Sequence, residues 1–109
     1  MMNDKGRPEP VLFLLAARDA MEAFRAEHRE YAKRWCDLEI EFAAGPYHVG
    51  DPGTRPTPEN GPQWRPLRCQ YSYVIDSATA VDYVVYAINR DGKVEFKVQA
   101  GMEYPVRID

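Results

Sequence analysis

From Leu14 onward the residues Leu14, Ala17, Met21, Phe24, His28, Tyr31, Trp35 and Leu38 recur at alternating intervals of three and four. That period places them on one side of an α-helix. The remaining sides carry Arg18, Asp19, Glu22, Arg25, Glu27, Arg29, Glu30, Lys33 and Arg34, with Arg18 and Glu22, and Glu30 and Arg34, one turn apart and of opposite charge. Pro8 and Pro10 suit a helix start, where a missing N–H goes unused. The spacing also fits a coiled-coil seam, but Ala17, His28 and Tyr31 stand where a seam favours Leu, Ile or Val. With Phe13 and Ala20 widening the apolar side, the stripe reads as a core-facing helix running through Leu38.

The period then changes to two. Leu38, Ile40 and Phe42 alternate with Glu39 and Glu41, as in a short half-buried strand or an extended connector. Residues 44–66 contain six Pro and four Gly and are expected to form a long loop. A long internal loop in a compact domain is often a recognition element, so Tyr47, His48 and Trp64 are its first candidates for binding. The alternative is that Tyr47 and Trp64 fold back to cap the core. Beyond the loop, Leu67, Cys69, Tyr71, Tyr73 and Ile75 form the inner side of a strand. Val81–Ile88 reads as a central strand, with the helix over one side and aromatics over the other. Asn89–Gly92 is a hairpin turn, and Val94, Phe96 and Val98 point inward from the next strand. Met102–Ile108 reads as a last strand, confined to an edge by Pro105.

These elements predict an α+β fold in which one long N-terminal amphipathic helix packs on a three- to four-stranded antiparallel sheet. The 109 residues suit a single domain spanning 1–109, with residues 1–7 expected to be disordered.

Composition narrows the function classes. A net charge of −3 with interleaved acids and bases argues against a nucleic-acid partner. No apolar run is long enough to span a bilayer. Val11–Ala17 could be read as a short signal-peptide core, but Arg18-Asp19-Ala20 is a poor cleavage site, and the first turns of a buried helix explain it better. Cys36 and Cys69 are open to two readings, a disulfide closing a long loop or a pair of free thiols. Neither they nor His28 and His48 have metal-site spacing, so no metal and no cofactor are expected. No nucleophile elbow, phosphate loop or zinc motif occurs. His28 reads as a packed stripe residue rather than a catalytic one. The pair Glu39 and Glu41 reads as an exposed acidic strand face rather than an acid–base pair. Enzymatic activity is therefore not the expected role.

The order of features also carries a resemblance. Ala20–Ala32, AMEAFRAEHREYA, resembles the amphipathic second half of the long helix in type IV pilins and pseudopilins, where small residues, an aromatic, a Glu and a Tyr at helical spacing lead into the globular head. Tyr71–Ser77 (YSYVIDS), Tyr83, Ala87 and the Asp91-Gly92 hairpin look like the pilin head sheet. The family also carries an apolar anchor of about twenty residues, where this sequence has only VLFLLAA, so a head lacking that anchor is expected. The resemblance implies a non-enzymatic structural or adhesive domain, outside the cytoplasm, acting through contacts with a protein partner or with itself. It also implies that 44–66 faces neighbours or ligands and that Cys36 and Cys69 form a disulfide. Two alternatives stand beside it. One is a cytoplasmic protein-binding module of the same shape. The other is a small ligand carrier or enzyme with a pocket between helix and sheet lined by Tyr71, Tyr73, Tyr83 and Tyr86.

Overall fold

The computed structural model describes residues 9–40, 56–66 and 69–108. One helix, α1 (Glu9–His28), lies on a five-stranded sheet whose strands follow chain order: β1 (Gln63–Trp64), β2 (Ser72–Ala78), β3 (Tyr83–Ile88), β4 (Val94–Gln99) and β5 (Val106–Arg107). Every neighbouring pair is antiparallel. The α+β class is as expected, with one strand more than the sequence predicted. The addition is β1, which forms inside 44–66 where Trp64 pairs with Tyr73 and the Pro62 carbonyl accepts a hydrogen bond from the Ile75 N–H at 2.8 Å. Pro is tolerated there because it offers only its carbonyl, at a sheet edge.

α1 is rich in Ala and Leu, which give up little side-chain freedom in a helix. It buries Pro10, Val11, Phe13, Leu14, Ala17, Ala20 and Met21. It stops ten residues short of the predicted end, a difference read from His28 and Leu38. Arg29 adopts φ 64° and donates its N–H to the Arg25 carbonyl at 2.8 Å, the single backbone bond of a left-handed C-terminal cap. The chain then crosses to the sheet, and the Tyr31 N–H bonds the Thr79 carbonyl at 2.9 Å. Tyr31, Ala32, Trp35 and Leu38 are still buried, carried by an irregular segment and a 3-10 turn at Trp35–Asp37. The spacing therefore marked burial at Leu14, Ala17, Met21, Tyr31, Trp35 and Leu38 but not at His28, and the stripe is not one continuous helix. His28, whose position in a longer helix would face the core, has a side chain 52% exposed and stacked on Phe24.

Leu38–Ile40 is not a strand, and Phe42 lies outside the described residues. Most of Met102–Ile108 is likewise irregular, with only Val106–Arg107 paired to β4. The β3–β4 turn is as predicted. The Gly92 N–H bonds the Asn89 carbonyl at 3.0 Å, the Asn89 side chain accepts from the Asp91 and Lys93 N–H groups, and Gly92 takes φ 85°. That positive φ is the conformation glycine adopts at least cost.

Phe13 is the hub of the core. Its ring stacks on Tyr73 at 3.7 Å and meets Trp35 and Trp64 edge-on, each at 5.6 Å. The Trp35 indole N–H donates to the Tyr73 carbonyl at 3.0 Å, so its polar atom is satisfied where it is buried. Leu14, Ala17 and Met21 from α1, with Tyr83, Val85 and Val98 from the sheet, are all 0% exposed and fill the rest. Burial of each large apolar side chain stabilises the fold by about 1.5–3 kcal/mol. Polar ties align the layers. The Glu9 carboxylate accepts from the Gln70 and Tyr71 N–H groups at 3.0 and 3.1 Å and from the Tyr73 hydroxyl at 3.3 Å. Farther along α1, Arg18 and Arg25 donate to the carbonyls of Glu103 and Ala80.

Candidate functional site

Alternation along each strand gives the sheet two unlike faces. On β3, Tyr83, Val85 and Ala87 are buried under α1, while Val84, Tyr86 and Ile88 are only half-buried. Register carries this division across the sheet. Gln63, Val74, Tyr86, Lys97 and Val106 form one row, since Gln63 pairs with Val74, Val74 with Tyr86, Tyr86 with Lys97 and Lys97 with Val106. Ser72, Ile88 and Val94 lie on one side of that row, and Ser77, Val84 and Gln99 on the other. Val94 and Val106 are 37% and 42% exposed. The centre of this outer face is therefore apolar, and no described element packs over it. A bulge between Ile75 and Ser77 adds Asp76 to its rim.

The titratable groups with displaced pKa values sit elsewhere. Burial, with Glu9 nearby, pushes the Cys69 thiol up to about 12, so at neutral pH it is protonated and a poor nucleophile. The Tyr71 hydroxyl, partly buried and donating to Glu95 at 2.8 Å, is raised to about 12. Hydrogen bonds from Asn89 and Tyr71 hold the Glu95 carboxyl below its ordinary value. Burial and the nearby Glu22 carboxylate raise Tyr83. Each of these groups is held more firmly in the charge state it has at neutral pH, whereas an acid–base catalyst has a pKa near its working pH.

Among the described residues, the candidates named from sequence do not converge. Tyr47 and His48 lie outside the described residues. Trp64 is 5% exposed and packs on Phe13 and Trp35, the core-capping placement. Cys36 and Cys69 are free thiols, half-buried and buried respectively. Tyr73 and Tyr83 are in the core while Tyr86 is on the opposite face, so the four tyrosines do not line one pocket. A groove of about 260 Å³ does open beyond the end of α1, bordered by Phe24, Tyr31, Arg34 and Asp37. Among the described residues no cluster of His, Cys, Asp or Glu is arranged to hold a metal ion, and no helix is long and apolar enough to cross a membrane.

No family model, curated protein or solved structure matches the chain.

Sequence reasoning missed Val74, Val84, Tyr86 and Val106 as a surface. It covered the second side of Val81–Ile88 with aromatics, whereas the aromatics Tyr73, Tyr83, Trp35 and Trp64 all gather on the helix side. A usable signal was present. A strand apolar on both sides calls for a cover on each, and the sequence offers only one amphipathic helix.

Proposed function

We propose that the chain is a non-enzymatic domain that works through protein–protein contacts, and that the outer face of its sheet is the contact surface. The observation that carries this reading is the apolar centre formed by Val74, Val84, Tyr86 and Ile88, with no described element over it. An apolar patch rimmed by polar side chains is a common mark of an interaction site. The filled interior between α1 and the sheet supports contact at a surface over ligand carriage in a pocket.

Two forms of this role differ in compartment. A helix on one side of an antiparallel meander is the arrangement that the pilin resemblance implies, which supports an extracytoplasmic structural head. The free thiols of Cys36 and Cys69 favour the second form, a binding module of a reducing compartment. Thiol titration of natively purified protein separates them, with two reactive thiols after unfolding supporting the module and none supporting the pilin-type head.

The contact surface itself is tested by placing a photo-crosslinking side chain at Tyr86, and as a control at the exposed Glu27, in the producing cell. The reading predicts discrete crosslinked protein species from position 86 and none from position 27. Equal yields from both positions would overturn it.

A further inference from the structure

Independently of the contact surface, we infer that Asn60 is a site of spontaneous deamidation that the fold holds in check, and that its conversion to isoaspartate releases β1. Asn60 is the one Asn followed by Gly in the sequence. Such a pair closes readily on itself, because glycine has no Cβ to shield its backbone nitrogen. The Gly61 nitrogen attacks the side-chain carbonyl carbon of Asn60. That N–C bond forms, the bond to Nδ2 breaks, and ammonia leaves with the proton that Gly61 gives up. Water then adds across either C–N bond of the five-membered imide. The product is aspartate or isoaspartate, the latter with its main chain rerouted through the side-chain carbon.

The fold opposes the first step. Asn60 ends the 3-10 turn Pro58–Asn60 and is exposed, so burial does not protect it. Its Oδ1 accepts from the Thr57 N–H at 2.7 Å and from the Thr57 hydroxyl at 3.3 Å, while the Gly61 N–H donates to the Pro58 carbonyl at 3.1 Å. Ring closure requires the Asn60 Cβ and the Gly61 nitrogen to eclipse one another about the Cα–C bond, whereas a 3-10 ψ of about −20 to −30° holds them well apart. Reaction therefore waits for the turn to open. The consequence follows from the next two carbonyls. That of Gly61 accepts from the Trp35 N–H at 3.2 Å and that of Pro62 from the Ile75 N–H at 2.8 Å, which docks the turn on the Trp35 segment and begins β1. An isoaspartate at position 60 lengthens the main chain by one carbon just before both carbonyls and displaces them. Asn89 differs, because it precedes Arg90, whose Cβ crowds the nitrogen, and its side chain is held by the Asp91 and Lys93 N–H groups and by Glu95.

Peptide mapping by mass spectrometry tests this on the full chain, aged in mildly alkaline buffer with and without urea. In urea Asn60 should convert while Asn89 remains an amide. In native buffer the conversion should be about tenfold slower or more, a scale set by local opening of a short edge element. Thr57→Ala removes the capping hydroxyl and should speed the native reaction about fivefold without changing the rate in urea. Chain aged in urea and refolded should show faster hydrogen exchange at the Trp35 and Ile75 N–H groups. Asn60→Asp keeps both the acceptor oxygen and the main-chain length, so it should exchange as the wild type does. Equal rates with and without urea, or a native rate that Thr57→Ala leaves unchanged, overturn the guard. No conversion in urea overturns the site itself. Unchanged exchange in the isoaspartate form overturns the release of β1.

Discussion

The substitution Tyr83→Phe removes one oxygen atom from beneath α1. Tyr83 is 0% exposed, and its hydroxyl is the one fully buried side-chain polar atom without a hydrogen-bond partner among the described residues. A buried polar group left unsatisfied costs about 1–3 kcal/mol relative to its hydrated state. Deleting it recovers most of that cost. The ring itself, 4.7 Å from that of Tyr31, keeps its packing, and the void left by one oxygen is small. The net expectation is a gain of about 1 kcal/mol, or roughly 4–8 °C in melting temperature for a domain of this size. Tyr73→Phe is the matched control, because the Tyr73 hydroxyl donates to Glu9 at 3.3 Å. It should lose about 0.5–1.5 kcal/mol. Urea and thermal unfolding followed by circular dichroism measure both. A pH series adds a second readout. The folded-state pKa of Tyr83 lies above its ordinary value of 10.0, so the stability linked to its protonation is complete below pH 10 and declines as pH rises toward the folded-state value. Tyr83→Phe should flatten that alkaline decline. Destabilisation by 1 kcal/mol or more on Tyr83→Phe would show that the hydroxyl has a partner and refute the reasoning.

Three further substitutions probe other parts of the fold. Arg29→Gly should stabilise by about 0.5–1 kcal/mol in urea unfolding, since φ 64° strains a residue with a Cβ; Arg29→Ala should bring no such gain. Phe13→Ala should cost about 3–5 kcal/mol by emptying the hub of the aromatic core, whereas Val81→Ala, at a site 76% exposed, should change stability by less than about 0.5 kcal/mol. Glu95→Gln should reduce the acid sensitivity of unfolding. The folded-state pKa of Glu95 is lowered from 4.5, so its contribution is present above that value and lost as pH falls through the folded-state value.

The sequence made the fold class legible because its two periods are clean. The inward set Tyr73, Ile75, Phe96 and Val98 was readable from alternation alone, and so was the Asn89–Gly92 turn. The end of α1 was not, because nothing in Ala26-Glu27-His28-Arg29 breaks a helix locally. The cap is set by the tie of Tyr31 to Thr79, a partner distant in sequence, so tertiary contacts override propensity there. β1 was hidden for a related reason. Gln63-Trp64 has no strand pattern of its own and exists because β2 offers it hydrogen bonds. The candidate surface escaped notice because half-burial depends on how many layers cover a sheet. Residue type at Val84 or Tyr86 cannot report that count. Trp64 shows the converse, since an aromatic in a Pro/Gly loop suggests recognition until β1 turns it into the core.

The central claim is that α1 covers one face of the sheet and that no described element covers the other. Methyl-resolved NMR with a soluble paramagnetic agent, at a concentration low enough to keep the chain monomeric, measures this directly. The account predicts strong broadening of the Val74, Val84 and Ile88 methyl signals and little broadening of those from Val85 and Val98. Equal protection of both sets would mean that the outer face is covered within a single chain, and would contradict it.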